Sequence, residues 1–313
     1  MHAAVVRHFF WGGFYPVGGA RSIGRELLRT VADAGGWTRI STPVEEILVE
    51  NGRAVGVRLK EGEVVRARHV ISAAGIQPTV TRLLPQPYRD AAWAQEISRL
   101  PPTPAHVCLY LGFKGDIRAA GAARANQWFC NTWDTEQGEW NISDPDRLPP
   151  APVLYVSFPS LKDPTHEAGQ EQRHTGEVVT FVPWKAFEPW RETRWHHRGE
   201  EYAAFKEKLR TSLLEQLFHW MPGLAPLLDF AELSTPLSTD HFARPVAGAI
   251  YSIEATPERF RNRWLRARAP VGNLFFAGSD VASAGVIGAM MGGVLAAVSA
   301  EPIKAVRWLR SVG

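Results

Sequence analysis

The sequence predicts an α/β fold in which a parallel-strand unit is built from the two ends of the chain, with a mixed-sheet unit inserted between them. Three observations point there. Short apolar runs ending in small residues occur at 70–75 and again at 274–278, as strands covered on both faces do. Each run passes through a turn into helix-forming sequence. From Pro85 the texture changes to Pro-rich breaks at Pro87, Pro101, Pro102 and Pro104, followed by strand-like segments. The expected blocks are therefore 1–85, 86–240 and 241–313, the first and last forming one domain.

Taken in order, Tyr15-Pro-Val-Gly-Gly19 is a turn, and Ile23, Leu27, Leu28 and Val31 place one helical face on residues 22–34. Gly35-Gly36 ends that helix. Residues 38–49 read as extended chain with a turn. Asn51-Gly52 and Glu61-Gly62 then mark two tight turns, so the run to Arg68 is a small β-meander. Residues 70–75 are the first buried strand, and Gln77-Pro78 opens a helix toward Leu84. In the inserted block, residues 106–113, 153–158 and 178–182 read as strands, and 116–148 as polar and irregular. Phe205, Leu209, Leu213, Leu217 and Trp220 line one side of a helix over 202–220, closed by Met221-Pro-Gly223. Residues 230–237 read as extended and 249–253 as a short strand.

Composition narrows the function classes. The chain has 313 residues, 45% hydrophobic and 21% charged, enough for two globular domains. Its formal charge of +3 comes without a basic block, which argues against nucleic-acid binding. Cys108 and Cys130 have neither CxxC spacing nor a metal-type His partner, so both read as reduced, mostly buried thiols of a cytoplasmic protein. The start, MHAAVVRHFFWGG, lacks the basic, long apolar and small-residue segments of a secretion signal. Twelve Trp, many between Trp93 and Trp220, point to an apolar or aromatic-lined surface in the middle of the chain.

The most informative stretch is 273–300. An apolar strand breaks into Gly278-Ser279-Asp280, and Gly285 and Gly288 then let backbone approach something flat or charged. The first N–H groups of the helix that follows have no partner inside it and suit an anionic or electron-rich group. Residues 281–300 carry no charge and hold Gly288 and Gly292 in GxxxG spacing, a competing membrane-span reading. Their Gly and Ser content favours a buried helix.

The ordered set Tyr15-Pro-x-Gly-Gly19, the Gly35-Gly36 to Val44 pattern, Val70-Ile-Ser-Ala, Leu233-Ser-Thr-Pro-Leu237, Gly248-Ala-Ile-Tyr251 and Ala277-Gly-Ser-Asp280 through Gly293 resembles the FAD-dependent phytoene-desaturase-like oxidoreductases. That family includes carotenoid desaturases, carotenoid cis-trans isomerases and retinol saturases, and the stretch 184–206 resembles the isomerase and saturase branch. The resemblance implies a partial FAD-binding Rossmann-like domain with an inserted substrate domain. It implies that Val44 sits beside adenine through its backbone, that Gly278, Ser279 and Asp280 lie along the ribityl and diphosphate, and that Gly285, Val286, Ile287, Gly288 and Ala289 place a helix N-terminus at the flavin. Tyr251 would line the substrate cavity. For Val44 an ordinary core valine, for Asp280 a helix N-cap, and for Tyr251 core packing are the plainer readings.

One departure is large. The GxGxxG turn and downstream acid that hold the FAD diphosphate and ribose in this family occur nowhere in the chain. The resemblance therefore implies a C-terminal portion, with a separate GxGxxG-containing half or subunit as partner, and weak or no FAD binding by the chain alone. The implied activity is hydride exchange between flavin N5 and the carbon–carbon bonds of a long apolar polyene. Cis-trans isomerisation without net redox change, an inactive fragment, and an amine-oxidase-like activity are the alternatives. A polyene substrate also implies peripheral membrane contact.

The remaining polar groups carry less. His196-His197 point to different sides with no third ligand at useful spacing, so no metal is expected. Asp240-His241 has no GxSxG to complete a hydrolytic triad. Trp184, Phe187, Trp190 and Trp195 fit an apolar tunnel, a bilayer surface or a plain packed core. With a flavin carrying the redox step, no catalytic side chain is assigned.

Overall fold

Ten strands and six principal helices order the chain in this computed structural model, which describes residues 10–134 and 138–312. The expectation about a secretion signal falls largely on residues 1–9, outside the described residues. In chain order the elements are α1 (Arg21–Asp33), β1 (Val44–Glu50), β2 (Arg53–Leu59), β3 (Val64–Arg66), β4 (Val70–Ser72), α2 (Ala92–Ser98), β5 (Ala105–Lys114), β6 (Gln127–Cys130), β7 (Val153–Ser157), β8 (Arg173–Val182), α3 (Glu200–Trp220), β9 (Leu228–Ser234), α4 (Pro236–Ala243), β10 (Leu274–Phe276), α5 (Val286–Ala300) and α6 (Pro302–Val312).

They fall into two compact units. The first holds 1–40, 107–181 and 199–234; the second holds 41–106, 182–198 and 235–313. The grouping of 41–85 with the C-terminal segment follows the expected blocks; residues up to Ile40, which group with the five-stranded sheet, and 86–106 and 182–198, which group with the C-terminal segment, do not.

In the second unit, Asn51 and Gly52 both take positive φ (50° and 74°), the backbone that a two-residue hairpin turn needs. β1 and β2 accordingly pair antiparallel, with Glu50 opposite Arg53, and β3 completes a three-stranded meander. β4 and β10 pair parallel, Val70 to Leu274 and Ser72 to Phe276, joining segments some 200 residues apart. Leu274, Phe275 and Phe276 are all buried, as the unbroken apolar run predicts. After β4, residues 76–83 form one helical turn running into a π-helical stretch, Thr79–Leu83. Ile47, Val70, Ile76, Val80, Leu84, Ile97, Ile253, Leu274 and Phe276 form the core.

The first unit centres on a five-stranded sheet in the order β6-β7-β8-β5-β9. Along β5, Val107, Leu109, Leu111 and Phe113 are buried at every second residue, the period of a strand with one face on a core. The 21-residue α3 packs along β9, burying Phe205, Leu209, Leu213 and Leu217 at four-residue spacing. By contrast α1 buries no residue, and Leu27, Leu28 and Val31 on its apolar face are exposed.

Four local expectations are corrected. The polar run 116–148 contains strand β6, whose four residues pair with β7 through backbone bonds that side-chain pattern does not announce. The end of the segment 230–237, read as extended, instead opens α4: Pro236 sits at its first turn and Thr235 and Ser238 make a capping box. Residues 249–253 are no strand but make isolated bridges, Ala249 to Ala105 and Ile253 to Pro102. Cys130 is exposed, because β6 is an edge strand, whereas Cys108 is buried. Among the described residues no helix is long and apolar enough to cross a membrane.

Candidate functional site

The candidate site lies in the second unit, where β10 turns into α5. Gly278 leaves the strand at φ 97°, a conformation that strongly favours glycine. α5 starts only at Val286, with Gly285 as its N-cap at φ 90°, so residues 281–285 are turn rather than helix. The helix docks through its smallest residues. Gly288, Gly292 and Ala296, four apart, are its buried positions. A Cβ on Gly292 would lie 2.1 Å from the Gly278 carbonyl oxygen, so glycine here sets how closely helix and strand-turn approach. The opposite face is apolar and exposed, with Val286, Ile287, Met290, Met291 and Leu295 between 40% and 69% accessible.

Asp280 is neither an N-cap nor turned outward. At 3% exposure its carboxylate accepts from the Ile76 amide (2.8 Å), the Ser252 hydroxyl (2.8 Å) and the Ile253 amide (3.2 Å). Arg259, also 3% exposed, donates to the Ser279 carbonyl at 2.6 Å and to the Ile253 carbonyl. Burial lowers the Arg259 pKa, and the nearby Asp280 charge opposes that shift. Together the two side chains clamp the turn to residues 76 and 252–253. Sequence reasoning missed Arg259. Its one signal is the Thr256-Pro257 helix start that fixes its backbone, the Thr256 hydroxyl accepting from the Arg259 amide at 3.3 Å.

Val44 lies elsewhere in this unit, on the wall of a cavity of about 420 Å³ that Arg58, Lys60, Arg82, Arg89 and Arg244 also line. Burial and the adjacent Arg244 hold the Arg82 pKa below its ordinary value, with Asp240 opposing and Arg191 adding to the depression. Tyr251 is 45% exposed and its amide donates to the Thr103 hydroxyl at 2.9 Å. Of the aromatic cluster, Phe187 is fully buried while Trp195 stacks on His241 at 4.6 Å. Among the described residues no group of three His, Cys, Asp or Glu side chains could hold a metal ion.

The turn and α5 fit the electron-rich edge of a flavin. Open space surrounds the point where a Gly285 side chain would stand, and the first turn of α5 carries no acid to neutralise its positive end. The Asp280 carboxylate is turned into the fold and bonded there by Ile76, Ser252 and Ile253, with buried Arg259 nearby to offset its charge. Bare N–H groups, positive dipole and apolar flank are what an oxidised ring with a carbonyl edge requires.

The family model described as flavin containing amine oxidoreductase matches residues 8–300. The chain is 28% identical over 304 residues to an all-trans-retinol 13,14-reductase of Danio rerio, covering 93% of this chain and 50% of the relative. It is 31% identical over 275 residues to a phytoene desaturase (neurosporene-forming) of Cereibacter sphaeroides, covering 86% and 50%. Cyclohexylamine oxidase from Brevibacterium oxydans IH-35A shares the fold, with a TM-score of 0.56 at 15% identity over 93% of this chain and 53% of that one. The chain thus spans about half the length of the curated relatives it matches.

Proposed function

The chain belongs to the flavin containing amine oxidoreductase family, and on that premise we propose that it serves an FAD-dependent oxidoreductase acting on carbon–carbon bonds of a long apolar polyene. The observation that carries the reading is the β10 turn running into the uncapped, acid-free N-terminus of α5. Retinol and phytoene, named in two of the relatives, are both extended isoprenoid chains, which supports the substrate class.

FAD, when bound, supplies the hydride chemistry. The chain's own residues orient it. Gly285, Val286, Ile287, Gly288 and Ala289 present the α5 N-terminus to the pyrimidine edge, where partial positive charge favours the electron-rich form. Gly278, Ser279 and Asp280 would lie along the ribityl and diphosphate, and Val44 would meet the adenine through its backbone. Asp280 and Arg259 position the turn. The exposed apolar residues of α5 exclude water from the ring.

The test is an FAD titration of the purified chain, followed by the visible flavin spectrum, alone and with a polypeptide carrying a GxGxxG unit of the retinol reductase type. A perturbed spectrum that Gly285→Asp abolishes supports the reading, because an acid there opposes the helix dipole. An unperturbed spectrum in both mixtures sinks it. Product mass then reads the reaction, which changes by two hydrogens for desaturation or saturation.

A further inference from the structure

The cavity of about 420 Å³ beside Val44 holds more positive charge than the fold neutralises. Arg58, Lys60, Arg82, Arg89 and Arg244 stand on its wall against the acids Glu45 and Glu46. Arg58 is paired with Glu46. Among the described residues Lys60, Arg82, Arg89 and Arg244 make no ion pair, and Glu45 is exposed at the start of β1.

Two of the arginines are held in place by backbone. The Arg82 guanidinium donates to the Arg244 carbonyl at 3.3 Å, and the Arg89 guanidinium donates to the Thr81 carbonyl at 3.5 Å. The Nε–H of Arg89 is buried without an acceptor. A buried donor left open is rare, and a ligand or ordered water is the usual completion. Arg82 and Arg244 also repel one another, so the fold holds this cluster together against its own charge, and a bound anion relieves the repulsion.

The lining selects among anions. A guanidinium presents parallel N–H groups in a planar fork that matches two oxygens of one phosphate. Unpaired cations facing a single exposed acid favour a dianion over a monocarboxylate. Glu45 and Glu46 on the same wall repel a long polyanion such as nucleic acid. The volume is that of a small-molecule site, larger than a phosphate group alone fills, and Pro43, Val44 and Leu84 give the rest of the wall an apolar part.

We propose that this cavity binds a phosphomonoester, its dianionic group held by Arg82, Arg89 and Arg244 and its organic body against Pro43 and Leu84. The proposal stands independently of the polyene reading. The two phosphates of FAD are each bridged on both sides and carry one charge apiece, so they lack the terminal dianion that this lining matches. Because Val44 is shared with the adenine reading above, FAD is the competitor that separates a new site from a cofactor subsite.

The experiment is calorimetric titration of the purified full chain with phenyl phosphate, with benzoate as a singly charged control of similar body and FAD as competitor. Phenyl phosphate is expected to bind at least about ten-fold tighter than benzoate, the ratio for one further hydrogen bond to a charged group. Arg82→Gln and Arg244→Gln should each narrow that ratio, and so should Arg89→Lys, which keeps the charge and loses the fork. Arg244→Gln keeps the test decisive if Arg82→Gln weakens folding, because the Arg244 side chain makes no hydrogen bond among the described residues. Arg261→Gln removes an equal charge outside the cavity and should leave the ratio unchanged. Phosphatidylcholine vesicles with and without phosphatidic acid identify the source. Sedimentation that requires phosphatidic acid and is abolished by Arg244→Gln supports the site with a lipid headgroup as ligand; phenyl phosphate binding without sedimentation supports it with a soluble phosphate. Equal affinity for phenyl phosphate and benzoate, displacement of phenyl phosphate by FAD, an equal loss in Arg261→Gln, or no binding at millimolar ligand overturns the proposal.

Discussion

The backbone amide of Ile76 donates to the carboxylate of Asp280 at 2.8 Å, across 204 residues of chain. The bond ties the turn after β4 to the turn after β10, so the two parallel strands end against one buried anion. That anion also takes the Ser252 hydroxyl and the Ile253 amide, and it offsets the charge of buried Arg259.

Removing this carboxylate leaves buried donors and a buried guanidinium uncompensated. Asp280→Asn, whose amide nitrogen faces donors instead of accepting from them, is expected to destabilise the chain by about 1–3 kcal/mol or more, the cost of leaving a buried donor unsatisfied. Ser252→Ala removes a single bond and should cost about 1 kcal/mol. Denaturant midpoints measure both, and equal effects would show that the cluster does not act through the Asp280 charge.

The docking of α5 gives a pair of substitutions with opposite signs. Gly292→Ala places a methyl group 2.1 Å from the Gly278 oxygen and should lower the thermal midpoint, by an overpacking cost of about 1–3 kcal/mol or more. Gly293→Ala, one residue on, meets nothing within 4 Å and should raise it by up to about 1 kcal/mol through helix propensity. A thermal scan of the two variants decides.

The two thiols should differ in reactivity. Burial, with the nearby Glu177 charge, pushes the Cys108 thiol up to about 12, while Cys130 is exposed on edge strand β6. A thiol-reactive chromophore at neutral pH is expected to label one site rapidly in the native chain, and Cys130→Ser should abolish that phase. Cys108 should react only after unfolding. Two fast equivalents in the native chain would contradict this.

His106 carries the acid side of the stability profile. Burial lowers its pKa, and its buried Nδ1 has no hydrogen-bond partner. Below the ordinary value of 6.5 the unfolded chain therefore takes up a proton that the folded chain refuses. Stability should be level above that value and fall as pH drops through it toward the folded pKa. His174, lowered chiefly by burial and then by His166, acts in the same direction. His106→Leu should make the decline shallower in denaturant midpoints between about pH 7 and 5; an unchanged slope would assign the acid sensitivity to other groups.

Much of the architecture was legible because its signals are local. Asn51-Gly52 dictates a two-residue hairpin by its positive φ angles, the four-residue spacing of Phe205, Leu209, Leu213 and Leu217 dictates α3, and the apolar run at 274–276 dictates a covered strand. Each rests on backbone preference or side-chain period within a few residues. Strand β6 and helix α4 escaped because edge pairing and a capping box outweigh a polar or extended-looking pattern.

At the candidate site the sequence by itself determined the order of events: buried strand, glycine turn, small-residue helix with an acid-free first turn. Only the tertiary structure decided what Asp280 does. A carboxylate after a strand reads equally as cap, ligand contact or clamp, and the choice depends on which donors the rest of the chain brings within hydrogen-bond distance. Those donors, Ile76, Ser252 and Ile253, lie 204, 28 and 27 residues away, beyond the reach of any local pattern.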